Sequence, residues 1–182
     1  MNQEQSLQHI TLGGGCFWCT EAVFLGVRGV VAVQSGYCNG QTLQPSYEQV
    51  CTGATGHNEV VHITFDANLV SLEQLLQIFF VVHDPTTLNR QGNDTGTQYR
   101  SGIYTHNEVQ HQQVLAFMQG LTSRGVFSRP VVTEVLPRAN YWPAEDYHQN
   151  YFARNPAQGY CAFVVAPKIS KFQKTFAELV KP

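Results

Sequence analysis

The chain predicts an α+β domain in which helices pack against a mixed sheet. Strand-like and helix-like stretches alternate, and no linker, repeat or low-complexity tract divides them. At 182 residues, with 43% hydrophobic and 13% charged residues and 11 Phe, the chain closes one well-packed core, so residues 1–182 are expected to be a single domain.

His9–Leu12 has the pattern of a short strand, and Gly13–Gly15 that of a flexible turn. Phe17–Leu25 is helical and stops at Gly26. Val30–Ser35 is β-branched and Asn58–Phe65 alternates, which predicts two strands. Ser46 with Gln49 and Ser71 with Gln74 have capping-box spacing. The first opens a short helix over Pro45–Val50; the second opens a helix with Leu72, Leu75, Leu76, Phe79 and Phe80 on one face. Asp84–Gln98 is polar and turn-rich, and structureless stretches of that length are often functional. Strands over Tyr99–Tyr104 and Pro130–Leu136 flank a helix over Glu108–Leu121. Pro143 suits the first turn of a helix to about Arg154; Cys161–Val165 predicts a strand and Ile169–Val180 a closing helix.

The net charge is −2, without a basic run, which argues against nucleic acid. No apolar stretch has membrane-spanning length, so no membrane association is expected. Met1 to His9 is polar without a charged head and apolar run, so no secretory signal is expected and the expected location is the cytoplasm. Five cysteines, an odd number, point to free thiols rather than a disulfide framework.

The chemistry concentrates in Gly13-Gly14-Gly15-Cys16-Phe17-Trp18-Cys19. Cys16 stands at the first turn of a helix, where unpaired amides and the helix dipole favour negative charge; its thiol is expected to ionise below the free value and act as a nucleophile. Phe17 and Trp18 are either core or the rim of an apolar pocket for a group such as a methyl thioether. Cys19 completes a C-x-x-C pair that could be bridged. By strand parity Glu59 shares a face with Val61, Ile63 and Phe65; a poorly solvated carboxyl there would stay neutral and donate a proton.

Together these residues resemble the A-type peptide methionine sulfoxide reductases. Gly15-Cys16-Phe17-Trp18, Ser35-Gly36-Tyr37, Thr55-Gly56-His57-x-Glu59, the run from His83-Asp84-Pro85 through Arg90-Gln91-Gly92-Asn93-Asp94 to Tyr99-Arg100-Ser101, His148-Gln149 and Gly159-Tyr160-Cys161 carry the resemblance across most of the chain. It implies a ferredoxin-like two-layer sandwich and reduction of the S epimer of methionine sulfoxide, free or in proteins, as repair after oxidative damage. Cys16 would attack sulfur and Glu59 protonate the oxygen. Tyr37 and Tyr99 would hydrogen-bond that oxygen, Asp94 would organise the site, and Phe17 and Trp18 would hold the methyl group. Cys161 matches the resolving position, with Cys19 as rival; no later cysteine follows, so a relay through a tail cysteine is not expected. Thioredoxin is the implied reductant, no metal or organic cofactor is implied, and a monomer is expected. A thioredoxin-like dithiol oxidoreductase, a zinc module and a papain-like hydrolase using His57 or His148 are the alternatives.

Overall fold

A computed structural model describes residues 6–182; the polar start of the chain, residues 1–5, lies outside the described residues. The strands are β1 (Leu7–Gly14), β2 (Val30–Cys38), β3 (Asn58–Asp66), β4 (Arg90–Gln91), β5 (Asp94–Thr95), β6 (Ser101–Thr105), β7 (Glu134–Pro137) and β8 (Trp142–Pro143). The helices are α1 (Phe17–Leu25), α2 (Tyr47–Cys51), α3 (Leu72–Val82), α4 (Glu108–Ser123), α5 (Tyr151–Arg154) and α6 (Ala166–Thr175). Six strands make one mixed sheet in the order β7-β6-β1-β3-β2-β8, in which only β6 and β7 are parallel. β4 and β5 pair as a separate small hairpin. Among the described residues no helix is long and apolar enough to cross a membrane.

Side-chain parity places Ile10, Leu12, Val61, Ile63, Phe65 and Ile103 in one buried cluster with Val23 and Phe24 of α1 and Leu75, Leu76 and Phe79 of α3. Each fully buried Leu or Phe contributes about 1.5–3 kcal/mol. Glu59 begins the same stripe on β3 and is 1% exposed, as the alternation predicts. Both capping boxes form: the Ser71 hydroxyl accepts the Gln74 N–H, and the Gln74 side chain accepts the Ser71 N–H, both at 3.0 Å. Ser71→Ala is therefore expected to cost about 1 kcal/mol and lower Tm by about 2–4 °C. A melting curve that matches the parent would show that this cap contributes nothing.

Four expectations are corrected. Gly13 and Gly14 are strand residues, not turn; a Cβ at Gly13 would meet Asn58 Nδ2 at 2.4 Å, so close packing sets the need for glycine there. Pro143 lies in edge strand β8 rather than starting a helix, a place where its missing N–H is tolerated. Between it and Arg154 the chain forms a 3₁₀ turn at Asp146–His148 and the single turn of α5. The Pro130–Leu136 strand shrinks to Glu134–Pro137. Cys161–Val165 is a wide helical turn continuous with α6, not a strand. Helical spacing buries Cys161 and Val165 together and leaves Phe163 83% exposed, whereas a strand would have put all three on one face. Packing outweighs the β-propensity of the two valines.

Candidate active site

The end of β1 delivers the chain to α1 through Gly15, whose φ is +94°. A Cβ at Gly15 would lie 2.7–2.8 Å from the Gln91 side chain, so this position takes glycine on both conformational and steric grounds. Gln91 is itself fixed by the main chain of Asp84, whose N–H it accepts at 3.0 Å. Cys16 follows as the N-cap of α1 and is partly exposed.

Glu59 lies directly beneath this turn. The Phe17 N–H, one residue past the thiol, donates to Glu59 Oε1 at 3.3 Å. Glu59 Oε2 is buried and has no hydrogen-bond partner among the described residues. Burial dominates this carboxyl and pushes its pKa from 4.5 up to about 8, against the pull of the Phe17 amide. At neutral pH it is a carboxylic acid whose free oxygen can carry the proton.

Cys16 departs from expectation. Burial of the sulfur raises its pKa well above the ordinary thiol value, and nearby Glu59 and Cys19 raise it further. The Trp18 backbone N–H does favour the thiolate, as a helix start should, but loses to desolvation. The thiol is therefore protonated at rest.

The other predicted residues converge with one exception in orientation. The Tyr99 phenol is half-buried and feels both Glu59 and Cys16. Asp94, on β5, accepts the Tyr160 hydroxyl at 2.6 Å and acts electrostatically on both Cys16 and Glu59. Phe17 is buried among Tyr37, Tyr47 and His148, at 5.7, 6.5 and 5.0 Å between ring centroids. Trp18 stacks on Tyr151 at 3.8 Å and donates through Nε1 to His148 Nδ1 at 3.0 Å. Tyr37 pairs across the sheet with Glu59, but its hydroxyl donates to Glu145 Oε1 at 2.9 Å.

Three side chains of this surrounding were given no part in the sulfoxide site by the sequence reading. Tyr47, at the start of α2, packs on His148 at 4.4 Å, and Glu59 is the charge that acts on its phenol most strongly. The Ser46 capping box located this helix but gave no reason to aim its first residue at Glu59. His148 joins Phe17, Trp18 and Tyr47 from the 3₁₀ turn that sequence assigned to a helix. Tyr160 contacts Cys19 Sγ at 3.8 Å and binds Asp94; its motif was visible, but the expected strand after it concealed its direction.

Cys19, Cys161 and Val165 form a small buried cluster, and Cys19 is also the thiol that acts on Cys16. Cys38 is buried apart from them beside Val60 and Tyr104, and Cys51 is exposed at the end of α2. Among the described residues no three His, Cys, Asp or Glu side chains are grouped to hold a metal, so a zinc module finds no donor set. His57 Nε2 is bonded to the Thr42 carbonyl, and His148 accepts from Trp18, so neither is paired with Cys16 as a hydrolase base. A cleft of about 1020 Å³ opens at Cys16 and passes Asp94 and Tyr160, while Glu59, Tyr37, Tyr99, Phe17 and Trp18 lie outside its lining.

A family model described as peptide methionine sulfoxide reductase matches residues 8–180. The peptide methionine sulfoxide reductase MsrA of Polynucleobacter asymbioticus is 55% identical over 97% of this chain and 93% of its own length. Among solved structures, methionine sulfoxide reductase A of Corynebacterium diphtheriae superposes with a TM-score of 0.78 at 38% identity, covering 87% of this chain and 79% of that one. Reduced Mxr1 from Saccharomyces cerevisiae gives 0.79 at 32% identity, covering 88% and 92%. Mxr1 has also been solved in complex with Trx2.

Proposed function

Because the chain belongs to the peptide methionine sulfoxide reductase family, we propose that it reduces the S epimer of methionine sulfoxide, free or in proteins, to methionine. The observation that carries this reading is the buried, neutral Glu59, whose Oε1 accepts the amide of the residue after Cys16 and whose Oε2 has no partner among the described residues. Sulfoxide oxygen leaves sulfur only as it is protonated, and a carboxylic acid of pKa about 8 supplies that proton near neutrality. Cys16 sulfur bonds to the sulfoxide sulfur as Glu59 protonates the oxygen; the substrate S–O bond and the transient S–S bond then break as the hydroxyl passes to Cys16 sulfur, so methionine departs, reduced by two electrons, and Cys16 is left as a sulfenic acid, oxidised by two.

Tyr99 supplies a second hydrogen bond to the oxygen. Tyr47 takes the role that the resemblance gave Tyr37, since the Tyr37 hydroxyl is held by Glu145. Burial raises the Tyr47 and Tyr99 pKa values, which keeps both phenols as donors. Asp94 organises the site through Tyr160, and Phe17 and Trp18 form the aromatic wall for the methyl group. The βαββαβ order, with central strands in the sequence β6-β1-β3-β2, supports a ferredoxin-like sandwich as the scaffold.

The packing order of the thiols, Cys16 beside Cys19 and Cys19 beside Cys161, favours Cys19 as the first resolving partner and moves Cys161 to second. Cys19 condenses with the sulfenic acid to give a disulfide and water. Cys161 then attacks the Cys19 sulfur and frees Cys16, leaving a Cys19–Cys161 disulfide for thioredoxin to reduce. No step calls on a metal or organic cofactor.

One equivalent of S-methionine sulfoxide added to the reduced protein is expected to release one equivalent of methionine. In the Cys161→Ser variant, mass spectrometry is expected to find Cys16 joined to Cys19, with thioredoxin-driven recycling largely lost. Absence of methionine in the parent experiment refutes the activity. A Cys16–Cys161 link in Cys19→Ser, formed at the parent's rate, would return Cys161 to first place.

A further inference from the structure

The four lysines of the chain are Lys168, Lys171, Lys174 and Lys181, all near its C-terminus. Lys168 and Lys171 lie on α6 and line the cleft of about 1020 Å³ that starts at Cys16. Among the described residues neither forms an ion pair. Of the acids of the cleft, Asp84 is paired with Arg129 at 3.5 Å, while Asp94 accepts the Tyr160 hydroxyl at 2.6 Å and acts on Cys16. The remaining lining includes the apolar Phe80, Phe127 and Val164. The cleft is thus continuous with the nucleophile, far larger than one side chain, apolar in part and cationic along α6.

We infer that this cleft receives the polypeptide flanking an oxidised methionine, and that Lys168 and Lys171 make acidic flanking residues preferred. The inference rests on the activity proposed above and adds a substrate class to it. One helical turn separates the two lysines, about 5 Å along the axis, while an extended peptide advances about 3.3 Å per residue. The two ammonium groups can therefore serve carboxylates one or two positions apart. Lys168 is half-buried and Lys171 exposed, so the attraction is modest and sensitive to salt. Because the gain lies in binding, it enters KM rather than kcat.

The test uses the intact chain with dithiothreitol as reductant, so that no protein partner enters, and a parallel assay with thioredoxin. Peptides carry S-methionine sulfoxide between aspartates or, as the uncharged counterpart, asparagines. At low ionic strength the kcat/KM ratio of aspartate to asparagine peptide is expected to be on the order of tenfold, expressed in KM. The ratio is expected to fall towards one in K168Q/K171Q and to be retained in K168R/K171R. A parent ratio near one, or a ratio that survives K168Q/K171Q, overturns the inference. So does a double variant whose only loss is in thioredoxin-driven turnover, since the lysines would then serve the reductant. If the parent does not consume N-acetyl-methionine sulfoxide, the proposed activity fails and this inference with it; if it consumes that compound with a peptide ratio near one, only this inference fails.

Discussion

Cys16→Ser is expected to lower methionine release by at least about 10³-fold in a single-turnover assay while leaving the fold intact. Position 16 caps α1, and serine is among the best residues at a helix N-cap, so Tm is expected to hold or rise slightly. The hydroxyl cannot form a sulfenic acid, and no other thiol is placed to replace it. Cys19 is buried in the Cys161 cluster, Cys38 sits apart beside Tyr104, and Cys51 is an exposed thiol at the end of α2. Methionine release within tenfold of the parent, from a folded variant, would remove Cys16 from the reaction.

The protonated resting thiol is compatible with this assignment because Cys16 and Glu59 titrate as a pair. Ionised Glu59 is among the groups that hold the thiol up; neutral Glu59 removes that repulsion. The Trp18 N–H is in place to stabilise sulfur charge once it forms. The reactive arrangement, thiolate beside carboxylic acid, is a minor protonation state that a bound sulfoxide can favour by accepting the acid's hydrogen bond. Burial makes the thiol less ionised at rest, and the same exclusion of water strengthens Glu59 as a donor.

Local pattern determined what was legible. Phe17–Leu25 has the observed helix bounds, and both capping boxes appear as spaced, because helix periodicity and caps depend on neighbours a few residues apart. Strand parity put Glu59 on the apolar face, where it is buried and its pKa raised; its part as proton donor to the sulfoxide oxygen came from the resemblance. The Cys16 ionisation was not legible, since a helix-start argument counts the amides of one element, while burial of the sulfur and the charges of Glu59, Cys19 and Asp94 depend on the folded chain. Tyr37 and Tyr47 show the same limit. Both approach the carboxyl, and only the partner of each hydroxyl distinguishes them: Glu145, more than a hundred positions beyond Tyr37, decides the matter. The helical course of Cys161–Val165 likewise depends on packing against Cys19 and Trp18 rather than on its own valines.

Glu59→Gln tests the proton donor, and pH separates its chemical from its structural role. Glutamine keeps the size and the oxygen that accepts the Phe17 N–H, but it has no acidic proton. The single-turnover rate is expected to fall by about 10²–10⁴-fold with substrate affinity retained. In the parent the rate is expected to decline above about pH 8, where Glu59 loses its proton, and this limb should be absent from the variant. Stability supplies an independent reading. The folded pKa of about 8 exceeds the ordinary 4.5, so between these values the folded state holds a proton that the unfolded state has released. Unfolding free energy of the parent should therefore fall as pH rises from 4.5 to 8, by on the order of 4 kcal/mol from this group. Glutamine does not titrate, so the variant should lack that loss and gain on the parent across the window. Parallel stability profiles would place an ordinary, solvated carboxylate at position 59, and an undiminished single-turnover rate would leave the sulfoxide oxygen without its proposed acid.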